Sequence, residues 1–136
     1  MLTGGAQVAE NKRAIGRVGE DAAQDFLTGL GYQILYRNFR YGKYGEIDII
    51  ALYSSTICFI EVKSRSGAGY GTPAEAVGYA KRKKIMTVAN HFLRISGYKN
   101  YKLRFDIIEV FFIGAKTQDA RHIVKRLHHI ENAFGE

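Results

Sequence analysis

Near the start of the chain, apolar residues recur at intervals of three and four. Ile15, Val18, Ala22, Phe26 and Leu30 line one face of a helix over residues 12–30, and Gly31 is suited to stop it. Beyond that glycine the period falls to two. Residues 33–38 read as a strand, 39–44 as a glycine-containing turn, 46–52 as a second strand, 53–56 as a tight turn and 57–64 as a third strand. A glycine-rich loop at 66–71 leads to Thr72, Pro73 and Glu75, which suit the cap, first turn and capping box of a helix. That second helix is predicted to run to about residue 95, with Val77, Ile85, Val88 and Phe92 facing inward and Gly97 following. Residues 104–113 read as a strand, 114–120 as a turn and 121–130 as a last strand. The order αβββαββ predicts an α/β fold with a mixed central sheet flanked by helices. Residues 1–11 are expected as a flexible lead-in and 12–136 as a single domain.

Two of the strands carry charge where the pattern asks for apolar groups. Glu46 and Asp48 share a face of the second strand, as do Glu61 and Lys63 on the third. If these strands form a hairpin, Asp48, Glu61 and Lys63 converge, a set suited to a divalent cation and a phosphate. A Glu-x-Lys triplet alone usually marks a solvated sheet face. Here the neighbours are Ile47, Ile49, Ile50, Ile57, Phe59 and Ile60, and charge buried among them needs a partner. Glu20 falls on the flank of the first helix, and periodicity alone leaves it either solvated or reaching over the sheet toward Asp48. Lys81 lies on the inward face of the second helix, with Lys84 close by and Arg82 and Lys83 outward. Residues 36–44 alternate aromatic and basic side chains, among them Arg40 and Lys43, a composition suited to nucleic acid; packing of Tyr36 and Phe39 in the core is the competing reading.

The formal charge of +7 over 136 residues favours a polyanionic partner, nucleic acid or an anionic membrane surface. No apolar run approaches the roughly 20 residues of a membrane helix. Cys58 is the single cysteine and sits in an apolar strand, so it reads as a core residue in a protein of the reducing cytoplasm. Several motifs fail on spacing. Gly67, Gly69 and Gly71 have neither dinucleotide-loop nor phosphate-loop spacing and suit a flap beside the site. His122, His128 and His129 lack metal partners in sequence and are expected at the surface. No Ser-His-Asp pattern is present.

Gly16-Arg17-Val18-Gly19-Glu20, Gly45-Glu46-Ile47-Asp48-Ile49-Ile50-Ala51, Phe59-Ile60-Glu61-Val62-Lys63-Ser64-Arg65 and Arg104-Phe105-Asp106 together resemble the YraN-like family of uncharacterised bacterial proteins. That family is similar to the archaeal Holliday junction resolvases and to restriction-endonuclease-like nucleases. The resemblance implies a restriction-endonuclease-like fold, with Asp48, Glu61 and Glu20 on Mg2+ (or Mn2+) and Lys63 orienting water as a fixed cation. It implies Lys81 as a basic helix position at the site, Glu46 in a supporting role, and a homodimer; Lys84, Arg40, Lys43 and Arg65 are expected as further nucleic-acid contacts from their charge and position. The function expected is metal-dependent endonucleolytic cleavage of DNA, with branched DNA as a candidate substrate. The alternative is a nucleic-acid-binding or adaptor protein that keeps the fold without turnover. A purely structural protein leaves the paired strand charges unexplained.

Overall fold

Two helices cover opposite faces of one twisted sheet in the computed structural model, which describes residues 4–66, 77–113 and 123–135. The elements among these residues are α1 (Gly4–Gly29), β1 (Gln33–Arg40), a 3-10 turn (Gly42–Tyr44), β2 (Glu46–Tyr53), β3 (Thr56–Ser66), α2 (Tyr79–Ser96), β4 (Lys102–Phe112) and β5 (Val124–Phe134). The expected αβββαββ order is observed. The strands lie side by side in chain order, antiparallel except for the parallel pair β3–β4, so the sheet is mixed. The crossover that makes β3 and β4 parallel contains α2, as a parallel pair requires.

Alternation along the strands builds two cores. Ile57 and Phe59 of β3 point to one side, where they pack with Ile85, Val88, Ala89 and Phe92 of α2. Cys58 and Ile60 point to the other side and meet Ala23 and Leu27 of α1. Cys58 is buried as expected, and burial pushes its thiol up to about 11, which leaves it an inert core residue.

The structure departs from the sequence pattern at several boundaries and in the alternation of β1. Helix α1 starts at Gly4, within the stretch expected as a lead-in, because Ala6, Gln7, Ala9, Glu10 and Lys12 favour helix without any apolar periodicity to announce it. Strand β5 runs on to Phe134, because Asn132 at φ 54° absorbs an irregularity in register between Ile107↔Ile130 and Phe105↔Phe134. Asn38, at φ 53°, similarly breaks the alternation of β1. Arg37 therefore faces α1, while Phe39 packs on the α2 side with Phe92. The glycine-rich loop, the Thr72–Glu75 capping box and the 114–120 turn fall outside the described residues. Helix α2 is described from Tyr79.

Candidate active site

The β2–β3 ladder stops at Ile49↔Ile60, although β2 continues back to Glu46 and β3 forward to Ser66. Before that point β2 stays paired to β1, and beyond it β3 stays paired to β4, so the sheet forks. Asp48 stands on one limb of the fork; Glu61 and Lys63 stand on the other. One bond crosses it: the Val62 amide donates to Asp48 Oδ2 at 2.8 Å. Opposite Asp48 in the β1 register stands Asn38, where the backbone turns left-handed.

Burial makes this charge cluster costly. Glu61 is 4% exposed and Asp48 is largely buried, and Glu61 Oε1 has no hydrogen-bond partner. Desolvation, then the neighbouring Asp48 charge, pushes Glu61 up to about 8 despite Lys81 and Lys63. Desolvation also raises Asp48, to about 6, against the lowering effect of the Val62 amide, and the Glu20 charge adds to the rise. Lys81 Nζ lies 3.6 Å from Glu61 Oε2. The two lysines are pushed apart. Burial and then the adjacent Lys81 lower Lys63. For Lys81, burial is outweighed by its contact with Lys63 and by the two carboxylates, so it is raised and stays charged.

Glu20 approaches the fork from the α1 side. A Cβ on Gly19 would collide with Ser64 Oγ, so this glycine is what lets α1 lie against β3 next to Glu20. Ser64 Oγ in turn donates to the Ile15 carbonyl at 3.4 Å. The Glu20 carboxylate does not lie open, however. Arg37 binds Glu20 Oε2 at 3.1 Å, Asp21 Oδ1 at 2.7 Å and Gln24 Oε1 at 3.0 Å. Among the described residues no three acidic, histidine or cysteine side chains form a cation cage. The fork thus offers two close carboxylates, one with an orphaned buried oxygen, and this donor set fits a hard cation that keeps much of its own water, as Mg2+ does.

Cross-strand register extends the site along β4 and β5. Lys63 pairs with Glu109, and Glu109 with His128; one step further, Arg65 pairs with Phe111, and Phe111 with Arg126. Glu109 is buried, with His128 Nδ1 at 3.3 Å and Arg65 Nε at 3.5 Å. Arg126 lies over the Phe111 ring, 3.8 Å from its centroid. A row of cationic groups therefore crosses the sheet from Lys63 to the β5 edge, braced by one buried carboxylate. Sequence pattern missed Glu109 and His128, because each acquires its partner only through strand register.

Other expected residues fall in different surroundings. Lys84 lines a pocket with Lys81 and Glu46. Arg40 and Lys43 are exposed, with Lys43 Nζ 5.8 Å from the Tyr44 ring centre. Phe39 is core and Tyr36 is exposed, which divides the aromatic-basic segment between the two readings. Arg82, expected to point outward, turns back to donate from Nε to the Val77 carbonyl at 2.8 Å and stands over Phe134. His129, expected at the surface, is buried: its Nε2 donates to Asp106 Oδ2 at 2.8 Å. Asp106 also accepts from Arg104 and from the Asn132 amide, and Arg104 reaches Tyr32 Oη at 2.6 Å. That network braces the α1 side of β4 and β5.

The comparisons agree on one family. The model of the uncharacterised protein family UPF0102 matches residues 19–110, a span holding Glu20, the fork, Lys81 and Glu109. The chain is similar to a UPF0102 protein of Caldanaerobacter subterraneus subsp. tengcongensis, 44% identical over 124 residues that cover 91% of this chain and 97% of the relative. A UPF0102 protein of Acetivibrio thermocellus is 46% identical over 124 residues, 91% and 93% of the two chains. One of Caldicellulosiruptor saccharolyticus is 41% identical over 124 residues, 91% and 99% of the two. Among the described residues no helix is long and apolar enough to cross a membrane.

Proposed function

The chain belongs to the uncharacterised protein family UPF0102, and we propose that it is a metal-dependent endonuclease that hydrolyses phosphodiester bonds of DNA. The observation that carries this reading is the fork: two carboxylates, one with an unpartnered buried oxygen, face two lysines where the sheet opens. The αβββαββ order and the parallel β3–β4 pair support a restriction-endonuclease-like reading of the fold.

Asp48 and Glu61 would hold the cation. A bound Mg2+ supplies an acidified water and neutralises charge developing on the scissile phosphate. The Val62 amide fixes the Asp48 carboxylate and sets its orientation in the fork. Lys81, held charged, binds the phosphate and compensates its charge in the transition state. Lys63 was expected as a fixed cation. In that role it would orient the attacking water beside the Glu61 and Asp48 carboxylates, although burial and the adjacent Lys81 lower its proton affinity. Arg65 and Arg126 continue the cationic row and would hold the flanking backbone phosphates. Glu20, held by Arg37 on the α1 side, would support the fork from there as a further carboxylate for the cation.

The test is a panel of supercoiled, linear, single-stranded and four-way-junction DNA, incubated with Mg2+, Mn2+ or EDTA. The reading expects cleavage of at least one substrate with metal and none with EDTA. Binding that falls with salt but never leads to cleavage favours the non-catalytic alternative.

A further inference from the structure

Beside the fork, a cavity of about 440 Å3 opens between the 3-10 turn and the first turns of α2. Its walls differ in chemistry. Ala80 and Ile85 make an apolar floor, Tyr44 presents a ring that is 40% exposed, and Glu46 contributes an acceptor-only carboxylate. Lys81 and Lys84 complete the lining. Gly45, at φ 114°, leaves its own part of the wall bare, with nothing within 4 Å of where a Cβ would stand. Lys81 belongs to both places, since its Nζ also lies 3.6 Å from Glu61. A group seated in the cavity is thus near a phosphate held at the fork.

We propose that this pocket binds one unstacked nucleobase of the substrate strand, next to the scissile phosphate. The inference rests on the nuclease reading of the fork and adds the state of the substrate: single-stranded, or with a nucleotide turned out of the duplex. The rings already form a column. Tyr41 stacks on His91 at 3.7 Å between centroids and on Tyr44 at 5.1 Å, and a base against Tyr44 extends it. Stacking of this kind needs an exposed base face, which paired DNA does not offer. The Glu46 carboxylate suits a base that carries an exocyclic amino group, such as cytosine, over thymine. The pocket also absorbs Glu46, Tyr44 and Lys84, which the cation site leaves without a role.

The experiment measures binding of the full chain in EDTA, so that nothing is cut, by fluorescence polarisation. The probes are labelled single-stranded oligo-dC, oligo-dT and a fully paired duplex. Single strands are expected to bind at least tenfold tighter than the duplex, and oligo-dC tighter than oligo-dT. Tyr44→Ala should weaken single-strand binding by about tenfold, the loss of one stacked base. Tyr44→Trp should restore it, which separates stacking from a folding defect, and Glu46→Gln should erase the preference for oligo-dC. Equal binding of duplex and single strand with no effect of Tyr44→Ala overturns the pocket while leaving the cation site standing. A protein that binds none of the probes also overturns the pocket, and the endonuclease reading then stands or falls on the cleavage panel with metal.

Discussion

Glu61→Gln should stabilise the metal-free protein at alkaline pH, although it removes a buried charged residue from the centre of the sheet. The reason lies in the fork. Glu61 sits at about 8 against an ordinary 4.5, and Asp48 at about 6 against 3.8, because burial disfavours both charged forms, the Asp48 charge adds to the rise at Glu61, and the Glu20 charge adds to it at Asp48. The folded values are raised, so their contribution to stability is complete below about pH 4 and is lost as pH rises through 6 and then 8. A tenfold change in proton affinity corresponds to about 1.4 kcal/mol. Lys81, 45% exposed, lets solvent into the pair, so we discount the full shift and take about 2 kcal/mol for Glu61 by pH 8. In a chain of this size that is roughly 6 °C in Tm. Asp106 does not blur the window. Burial alone would raise it, yet hydrogen bonds from His129, Arg104 and the Asn132 amide hold it low, so its stabilisation is lost only below about pH 4. Thermal melts in EDTA at pH 5 and pH 8 should show the wild type losing those degrees and Glu61→Gln losing far fewer. Millimolar Mg2+ should restore the wild type at pH 8, by about 2.7 kcal/mol at a hundredfold excess over Kd, and leave Glu61→Gln unmoved. Parallel pH profiles for wild type and variant would refute the buried dyad.

Two further outcomes test the surroundings of the site. Gly19→Ala should destabilise the protein by about 1 kcal/mol, because Ser64 must rotate and give up its bond to Ile15; in a Ser64→Ala background the same change should stabilise by roughly 1 kcal/mol, the helix preference of alanine over glycine, read by urea denaturation. Asp106→Asn should cost about 3 kcal/mol at pH 7, since Arg104 loses the anion it is buried against, and a cost below 1 kcal/mol by the same assay would contradict that role.

Much of the fork can be read from the strand pattern. Asp48, Glu61 and Lys63 stand out because each interrupts an apolar alternation, and helix periodicity adds Lys81. What the pattern could not show depends on events between elements. The ladder opens at Ile49↔Ile60 because partner registers end there, and no single strand records that. Glu109 and His128 become neighbours only through β4–β5 pairing, and the His129 ring turns inward onto Asp106 although its register partner is Ile108. Glu20 was legible as a flank residue, but its bond to Arg37 required knowing that Asn38 turns β1 over and keeps Arg37 on the α1 side.

Single-turnover cleavage in Mg2+, run side by side for wild type, Asp48→Asn and Glu61→Gln on the best-bound DNA, tests the central claim most directly. The account predicts metal-dependent cutting by wild type and a loss of roughly a hundredfold or more in each variant, with DNA affinity largely kept. Wild type that binds DNA without cutting it, or variants that cut as fast as wild type, would contradict it.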